Sequence, residues 1–288
     1  MKKADVELKN DKLVCVIRPD LGASILELTY LGKSVLRSIN KDTVTSARQS
    51  ASFALIPFSN RMSHATLKWM GTDHPLIKNN ADEPHNIHGV GWQRPWTILE
   101  QGEDFLLVSY EHKADGGWPF DFDASQAIKI KDNELHQTLS ITNQSNKPTP
   151  VGLGWHPYFV KRKNSSIYFE ASKIWEMGDD RLPTHAVKSG GLDQLCEQLE
   201  VDHCYDGWNG QVKLIDSELS INVSSNLDRL VVYTKPGMDS VAIEPVSHVN
   251  NAINMSSNLG IDANQYGIKI LSPGETINAQ MTINIQQV

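Results

Sequence analysis

The chain has 288 residues, 40% hydrophobic and 21% charged, with a formal net charge of −7 at pH 7. That length buries a substantial core as one large β domain or two smaller units. The acidic balance argues against non-specific binding to nucleic acid or an anionic membrane, and no stretch approaches the roughly 20 apolar residues of a membrane-spanning helix.

Met1-Lys2-Lys3 leads into Ala4-Asp5-Val6-Glu7-Leu8-Lys9, charged where a signal peptide needs its apolar run, so the expected location is cytoplasmic. From there, short alternating apolar runs broken by turn residues predict an all-β protein. Leu31-Gly32, Met70-Gly71 and Gln101-Gly102 predict early hairpins. Ala127 to Thr142 is the clearest hairpin: Ile128 and Ile130 alternate before Asp132-Asn133, and Leu135, Leu139 and Ile141 after it. Asn143 to Pro150 predicts a loop feeding the strand that ends at His156. Gly191 to Leu199 carries Leu192, Leu195, Cys196 and Leu199 at helical spacing and predicts one or two helical turns. Gln211 to Val223 predicts another hairpin about Asp216-Ser217. The last is expected at Ser272-Pro273-Gly274-Glu275, between Ile268 and Ile270 on one side and Ile277 to Ile285 on the other. Turns this regular favour a sandwich over βαβ units. With no internal repeat, low-complexity tract or linker, the reading is a single domain over residues 1–288. Cys15, Cys196 and Cys204 are odd in number and sparse, which fits buried small apolar residues in a reducing compartment better than a disulfide framework.

Two segments stand out chemically. Val151-Gly152-Leu153-Gly154-Trp155-His156-Pro157 and Val241-Ala242-Ile243-Glu244-Pro245 each end an apolar run in one ionisable residue followed by proline. Proline disfavours the α region for the residue before it, so His156 and Glu244 are expected in extended backbone where their strands stop. A histidine and a glutamate aimed from strand ends form an acid–base couple.

Three further segments supply polar groups in apolar or glycine-rich surroundings. Arg61 ends Phe58-Ser59-Asn60-Arg61 and either offers a planar fork of donors to ligand oxygens or pairs internally with a carboxylate. His88 in Asn86-Ile87-His88-Gly89-Val90-Gly91-Trp92 is a loop histidine or a ligand contact, where glycine permits close approach and an aromatic such as Trp92 can pack on a sugar face. Asp202 either accepts hydrogen bonds from hydroxyls or caps a turn. His64, His74, His85, His88 and Glu83 match no strong metal signature, so no metal is expected. Dinucleotide, phosphate-loop and nucleophile-elbow motifs are missing. What remains suits hydroxyl recognition and proton transfer without a cofactor.

Five of these segments, Phe58-Ser59-Asn60-Arg61, Ile87-His88-Gly89, Gly154-Trp155-His156-Pro157-Tyr158-Phe159, Asp202-His203, and Glu244-Pro245-Val246 through Asn251-Ala252, resemble in their order and spacing those of aldose 1-epimerases, the mutarotases of the galactose mutarotase-like superfamily. Gly267 to Glu275 also looks like that family's closing hairpin, and the resemblance runs from about residue 12 to the C-terminus. It implies a large twisted β-sandwich with few short helices and a sugar cleft across it. It further implies that His156 is the general acid on the ring oxygen and Glu244 the base on the anomeric hydroxyl. His88 would be a second histidine near the ring oxygen, and Arg61, Asp202 and the neighbouring Asn60 and Trp92 would contact substrate. The implied partner is a small-molecule aldose, handled by a monomer or homodimer.

Phosphate-specific relatives generally carry an arginine four residues after the motif histidine. Here that position is Trp92, with Arg94 two residues on, and an indole does not clamp a dianion. The expected substrate is therefore a free aldose. A hexose-6-phosphate 1-epimerase and a non-catalytic sugar-binding or sensing protein on the same fold are the alternatives.

Overall fold

The structure, a computed structural model, describes residues 5–260 and 262–288. Two large antiparallel sheets dominate it. One has nine strands, ordered Thr97–Gln101, Phe105–His112, Phe122–Lys131, Glu134–Asn143, Thr276–Gln287, Leu219–Ser225, Gln211–Ile215, Ser166–Phe169 and Leu192–Leu195. Its alternation is the one predicted. Phe122, Ala124, Gln126, Ile128 and Ile130 are buried in turn along one strand, which pairs with the next through Ile130 and Leu135, and Asp132 takes a φ of 53° in the tight turn between them.

The other sheet runs Pro183–Lys188, Lys173–Met177, Val201–Asp206, Arg229–Thr234, Ser240–Val246, Gly154–Trp155 and Ala54–Leu55, with Tyr158–Val160 also paired to Ser240–Val246. One apolar core includes Ile128, Leu139 and Ile283 from the first sheet and Val232 and Ile243 from the second. Ser240–Val246 is buried along its whole length, as expected of a central strand covered on both faces. A four-stranded sheet, from Val6–Lys9 to Lys33–Ser34, stands beside them. Cys15, Cys196 and Cys204 are buried and free. Among the described residues no helix is long and apolar enough to cross a membrane.

Three expectations are corrected. The segment expected to be helical at Gly191–Leu199 contains the edge strand Leu192–Leu195, which pairs with Ser166–Phe169, so sheet pairing overrides the helical spacing. The closing hairpin is not one: its turn forms, but Lys269–Leu271 pairs with Thr149–Val151, whereas Thr276–Gln287 inserts between Glu134–Asn143 and Leu219–Ser225. The stretch expected as a loop to Pro150 is thus already a strand from Thr149. The α-helix Ala252–Leu259 lacked a sequence signal. It starts after Asn251 at φ 57° and ends at Gly260 at φ 63°.

Candidate active site

His156 and Glu244 meet because of sheet register. Gly154 pairs with Val246 and Tyr158 with Ala242, so the intervening His156 lies opposite Glu244. The ladder is interrupted there by Pro157. The N–H groups of Ile243 and Ser247 donate across this edge, to Pro157 O at 3.2 Å and Leu153 O at 2.8 Å. Pro245, between them, would donate into the interruption, which is why a proline is tolerated inside a central strand. The expectation that both strands stop at the ionisable residue therefore holds for His156 and is corrected for Glu244, whose strand runs on to Val246.

His156 Nε2 lies 3.2 Å from Glu244 Oε1 and 3.4 Å from the Tyr158 hydroxyl. The imidazole stacks on Phe53, with ring centroids 4.9 Å apart, and the backbone N–H of His156 donates to Phe53 O at 2.9 Å. At 3.2 Å the couple stands side by side, which suits two oxygens bonded to one carbon. Cross-strand partners share a face, so the same register extends the floor through the row Tyr158, Ala242, Tyr233 and Asp202. Asp202 lies within a strand and is not a turn cap.

Two short strands, Arg61–Met62 and Asn86–Ile87, pair to form the facing wall. Asn60, His88 and Gly89 have φ of 54°, 63° and 69°. The Asn60 N–H donates to His88 Nδ1 at 3.0 Å and the His88 N–H returns to Asn60 O at 2.9 Å. Neutral His88 therefore carries its proton on Nε2. A Cβ on Gly89 would lie 2.2 Å from Ile56 O, so only glycine fits this turn. The His88 ring stands edge-on to His156, with centroids 5.2 Å apart at 89°.

Arg61 is buried and donates twice to Glu83, at 2.7 and 3.0 Å, and once to Asp202 at 3.4 Å. It is thus internally paired as well as exposed to the cavity. Asn60, Arg61, His88, His156, Asp202 and Glu244 all line one cavity of about 150 Å³.

Trp92 does not line it. This indole is 2% exposed, donates to Gly89 O at 3.1 Å and packs behind Phe53; as a substrate contact it is corrected to a support for the His88 turn. Its identity consequently says nothing about phosphate. Arg94 pairs with Asp115 at 2.7 Å, outside the cavity. Phe53, Glu83, Tyr158 and Tyr233 also line the cavity and were missed. Tyr158 carried a signal, being two residues past His156 on the same strand face. Glu83 and Tyr233 carried none.

Burial sets the protonation of the couple. It pushes the His156 imidazole down to about 3, helped by the positive charge of Arg37, whose guanidinium lies 3.6 Å over the Tyr158 ring. Burial pushes the Glu244 carboxyl well above the usual carboxylate range, and the charge of Asp202 adds to this. His88 is also held well below an ordinary histidine, by burial first and His156 second. An ordinary histidine titrates near 6.5 and an ordinary glutamate near 4.3; the interior reverses their order. Both environments favour a neutral couple with its one proton on Glu244. His156 Nδ1 and Glu244 Oε2 are buried without hydrogen-bond partners among the described residues.

Among the described residues no group of three or more His, Cys, Asp or Glu is placed to hold a metal ion. His85, the nearest candidate by sequence, uses both ring nitrogens, accepting from the His64 N–H at 3.1 Å and donating to Asp180 O at 3.0 Å. A larger depression of about 550 Å³, beside Trp69 and Ser256, has no histidine–carboxylate couple in its lining.

The family model for aldose 1-epimerase matches residues 4–284. The uncharacterized protein YphB of Escherichia coli strain K12 is 26% identical over 266 residues, covering 83% of this chain and 85% of that one. The uncharacterized YihR of the same organism is 24% identical over 257 residues, covering 83% and 82%. A crystal structure from Escherichia coli K12, provisionally described as an aldose 1-epimerase, is 25% identical, covers 99% of each chain and superposes with a TM-score of 0.88. That of galactose 1-epimerase from Lactobacillus acidophilus NCFM is 15% identical, covers 98% of this chain and 94% of that one, and has a TM-score of 0.79.

Proposed function

Because this chain belongs to the aldose 1-epimerase family and has its galactose mutarotase-like β-sandwich, we propose that it interconverts the α and β anomers of a free aldose by acid–base ring opening and closing. The observation that carries this reading is the 3.2 Å contact between His156 Nε2 and Glu244 Oε1 on the floor of a cavity. Binding alone has no use for a buried acid–base couple whose second ring nitrogen and second carboxyl oxygen are unspent.

Glu244, as carboxylate, takes the proton of the anomeric hydroxyl while His156, as imidazolium, gives its proton to the ring oxygen. The C1–O5 bond breaks and C1=O1 forms. The aldehyde turns about C1–C2, and closure on the other face returns both protons. The couple holds one proton throughout, and the 3.2 Å contact is the path along which it passes between the two tautomers. Opening leaves Glu244 protonated and His156 neutral, the state that burial favours. The environment thus makes His156 a strong acid and Glu244 a strong base toward the sugar. His88 Nε2–H, neutral, donates a hydrogen bond near the ring oxygen; Asn60 holds that ring, and Arg61 and Asp202 bind hydroxyls.

The test is NMR exchange between the anomers of glucose, galactose and other aldoses with catalytic amounts of protein. His156→Asn and Glu244→Gln are each expected to lower kcat by about 10²–10⁴. Full activity in either variant contradicts the assignment, and tight sugar binding without faster exchange by the unmodified protein favours a sensor.

A further inference from the structure

The catalytic imidazole belongs to a stack that begins outside the cavity. His156 meets the Phe53 ring at 4.9 Å between centroids and 21°, and the Tyr158 ring at 4.4 Å and 33°. The guanidinium carbon of Arg37 lies over the Tyr158 ring, 3.6 Å from its centroid. Backbone pairing sets this order. Leu36 bridges Phe159, the Arg37 N–H donates to Tyr158 O at 2.8 Å, and the Val160 N–H donates to Val35 O at 3.1 Å. The chain from Val35 to Arg37 thus runs beside the strand Tyr158–Val160. The fork is pinned as well: Arg37 Nε donates to Ser50 O at 2.8 Å, and Nη2 to Ser50 O and Arg48 O at 2.5 Å. These acceptors are neutral carbonyls, and Asp239 acts on Arg37 only through space. Burial lowers the guanidinium from its ordinary value, but an arginine keeps its proton in a protein. Arg37 is therefore a half-buried cation beside the ring that packs on His156, and it does not line the cavity.

We propose that Arg37 is a positioning residue of the reaction, acting on His156 through the Tyr158 ring. This rests on the mutarotase reading and adds to it a residue that never meets the sugar. Orientation is one part of the role. A histidine that transfers protons is commonly held by a hydrogen bond at its second nitrogen, whereas His156 Nδ1 has no such partner among the described residues. Its plane is set by stacking instead. The Tyr158 face attracts the guanidinium, and the Ser50 and Arg48 carbonyls fix that guanidinium in turn, so Arg37 clamps the outer end of the stack. Charge is the other part. The groups facing the imidazole are Glu244 across the sheet, Tyr158 on its own strand, His88 from the wall, and Arg37 and Arg48. Arg61 and Asp202, further along the cavity, act on Glu244. Glu244 holds the couple's proton, His88 is neutral, and the Tyr158 hydroxyl, pushed up to about 12 chiefly by burial, stays a phenol. The standing charges on His156 are thus two arginines. Arg48 is exposed and has Asp82 at 3.8 Å, which leaves Arg37 as the cation without a carboxylate beside it. It disfavours the imidazolium at rest and sharpens its acidity toward the ring oxygen.

The test uses Arg37→Gln, which keeps a planar donor for Ser50 O without the charge, and Arg37→Lys, which keeps the charge without the planar fork. Anomer exchange of glucose and galactose is followed against pH, alongside NMR titration of the His156 ring in protein carrying labelled histidine. Arg37→Gln is expected to raise both the His156 midpoint and the acid limb of kcat/KM by about one pH unit. It should also lower kcat about tenfold with KM changed less than about threefold, because Arg37 does not touch the sugar. Arg37→Lys should leave the limb in place and lower kcat about threefold, through the lost clamp alone. A limb and midpoint unmoved by Arg37→Gln overturn the proposal, as does a limb that moves equally in both variants. A raised KM with kcat unchanged overturns it in favour of a purely structural arginine. If Arg37→Gln does not fold, Arg37→Lys decides, and a shifted limb or an unchanged kcat overturns the proposal. If the unmodified protein accelerates no aldose, the mutarotase reading falls. The His156 midpoint then judges Arg37 alone, and equal midpoints in the unmodified protein and Arg37→Gln overturn its action on the ring.

Discussion

His248 and Ser59, 189 residues apart in sequence, are joined by a hydrogen bond of 2.9 Å from the Ser59 N–H to His248 Nε2. The other ring nitrogen donates to Val249 O at 2.7 Å, so the neutral ring carries its proton on Nδ1. Ser59 precedes Asn60, whose N–H holds His88. His248 therefore pins the wall of the cavity from beneath, and Gly152 makes room for it, since a Cβ there would lie 2.0 Å from the ring.

A proton on His248 Nε2 would face the Ser59 N–H. Burial holds this histidine down to about 4, against an ordinary 6.5. A folded value below the unfolded one means that the stability is present above pH 6.5 and is lost as pH falls toward 4. The slope is about 1.4 kcal/mol per pH unit. His248→Asn is expected to cost about 1–3 kcal/mol at pH 7. Its stability, from urea unfolding at pH 7, 6 and 5, should also fall with acid less steeply than that of the unmodified chain, by roughly that slope. Parallel curves would show that His248 does not bear the proton.

The couple makes a second, distinct pH prediction. Between about 3, where His156 titrates, and the raised value of Glu244, the pair holds the single proton that the reaction needs. kcat/KM should therefore show no acid limb from His156 near pH 6.5. It should fall on the acid side only on approach to about 3, when a second proton removes the base. On the alkaline side it falls once Glu244 loses its proton and no acid remains. Exchange rates corrected for the uncatalysed reaction, taken from pH 5 to 9, test this. An acid limb centred near 6.5 would mean an ordinary exposed histidine is the acid.

His88 is expected to act by donating a hydrogen bond, since its ring is held neutral. His88→Gln keeps a donor, whereas His88→Ala does not, and both place a Cβ on the same backbone at φ 63°. The alanine variant should lose about 10²–10³ in kcat, as for removal of a preorganised donor, and the glutamine variant about tenfold. Neither should move the pH profile of kcat/KM. A shifted profile would identify His88 as a proton-transferring group.

The strands were legible where apolar residues alternate with period two and a turn dipeptide closes the hairpin, as from Ile128 to Ile141. The edge strand at Leu192–Leu195 was not, because its apolar spacing fits a helix and only its pairing with Ser166–Phe169 decides. The same limit applies to the site. His156 and Glu244 announced themselves through a following proline, but their adjacency depends on the register of Gly154 and Tyr158 against Val246 and Ala242. Trp92 misled because an indole beside a histidine motif has the same sequence signature whether it faces the cavity or the core. Glu83 lies in a polar loop and gains its meaning only from Arg61.

That meaning yields the last prediction. Glu83 binds Arg61 through both oxygens and also accepts from Arg181, and burial is outweighed so that its carboxyl titrates below the usual range, with the Arg61 hydrogen bond the largest cause. Glu83→Gln removes the charge but keeps the shape. Arg61, 7% exposed at its side chain, is then left with Asp202 at 3.4 Å as its carboxylate partner. A buried guanidinium without its partner costs several kcal/mol, so Arg61 should close on Asp202. That movement withdraws from the sugar both groups assigned to its hydroxyls, while His156 and Glu244 keep their contact. The expected result is a KM raised about tenfold, roughly 1.4 kcal/mol, with kcat changed less than threefold. Adding Asp202→Asn should give less than the sum of the two single effects, because both act on the same arginine. Additive effects, or a loss confined to kcat, would place Glu83 in the proton chemistry instead.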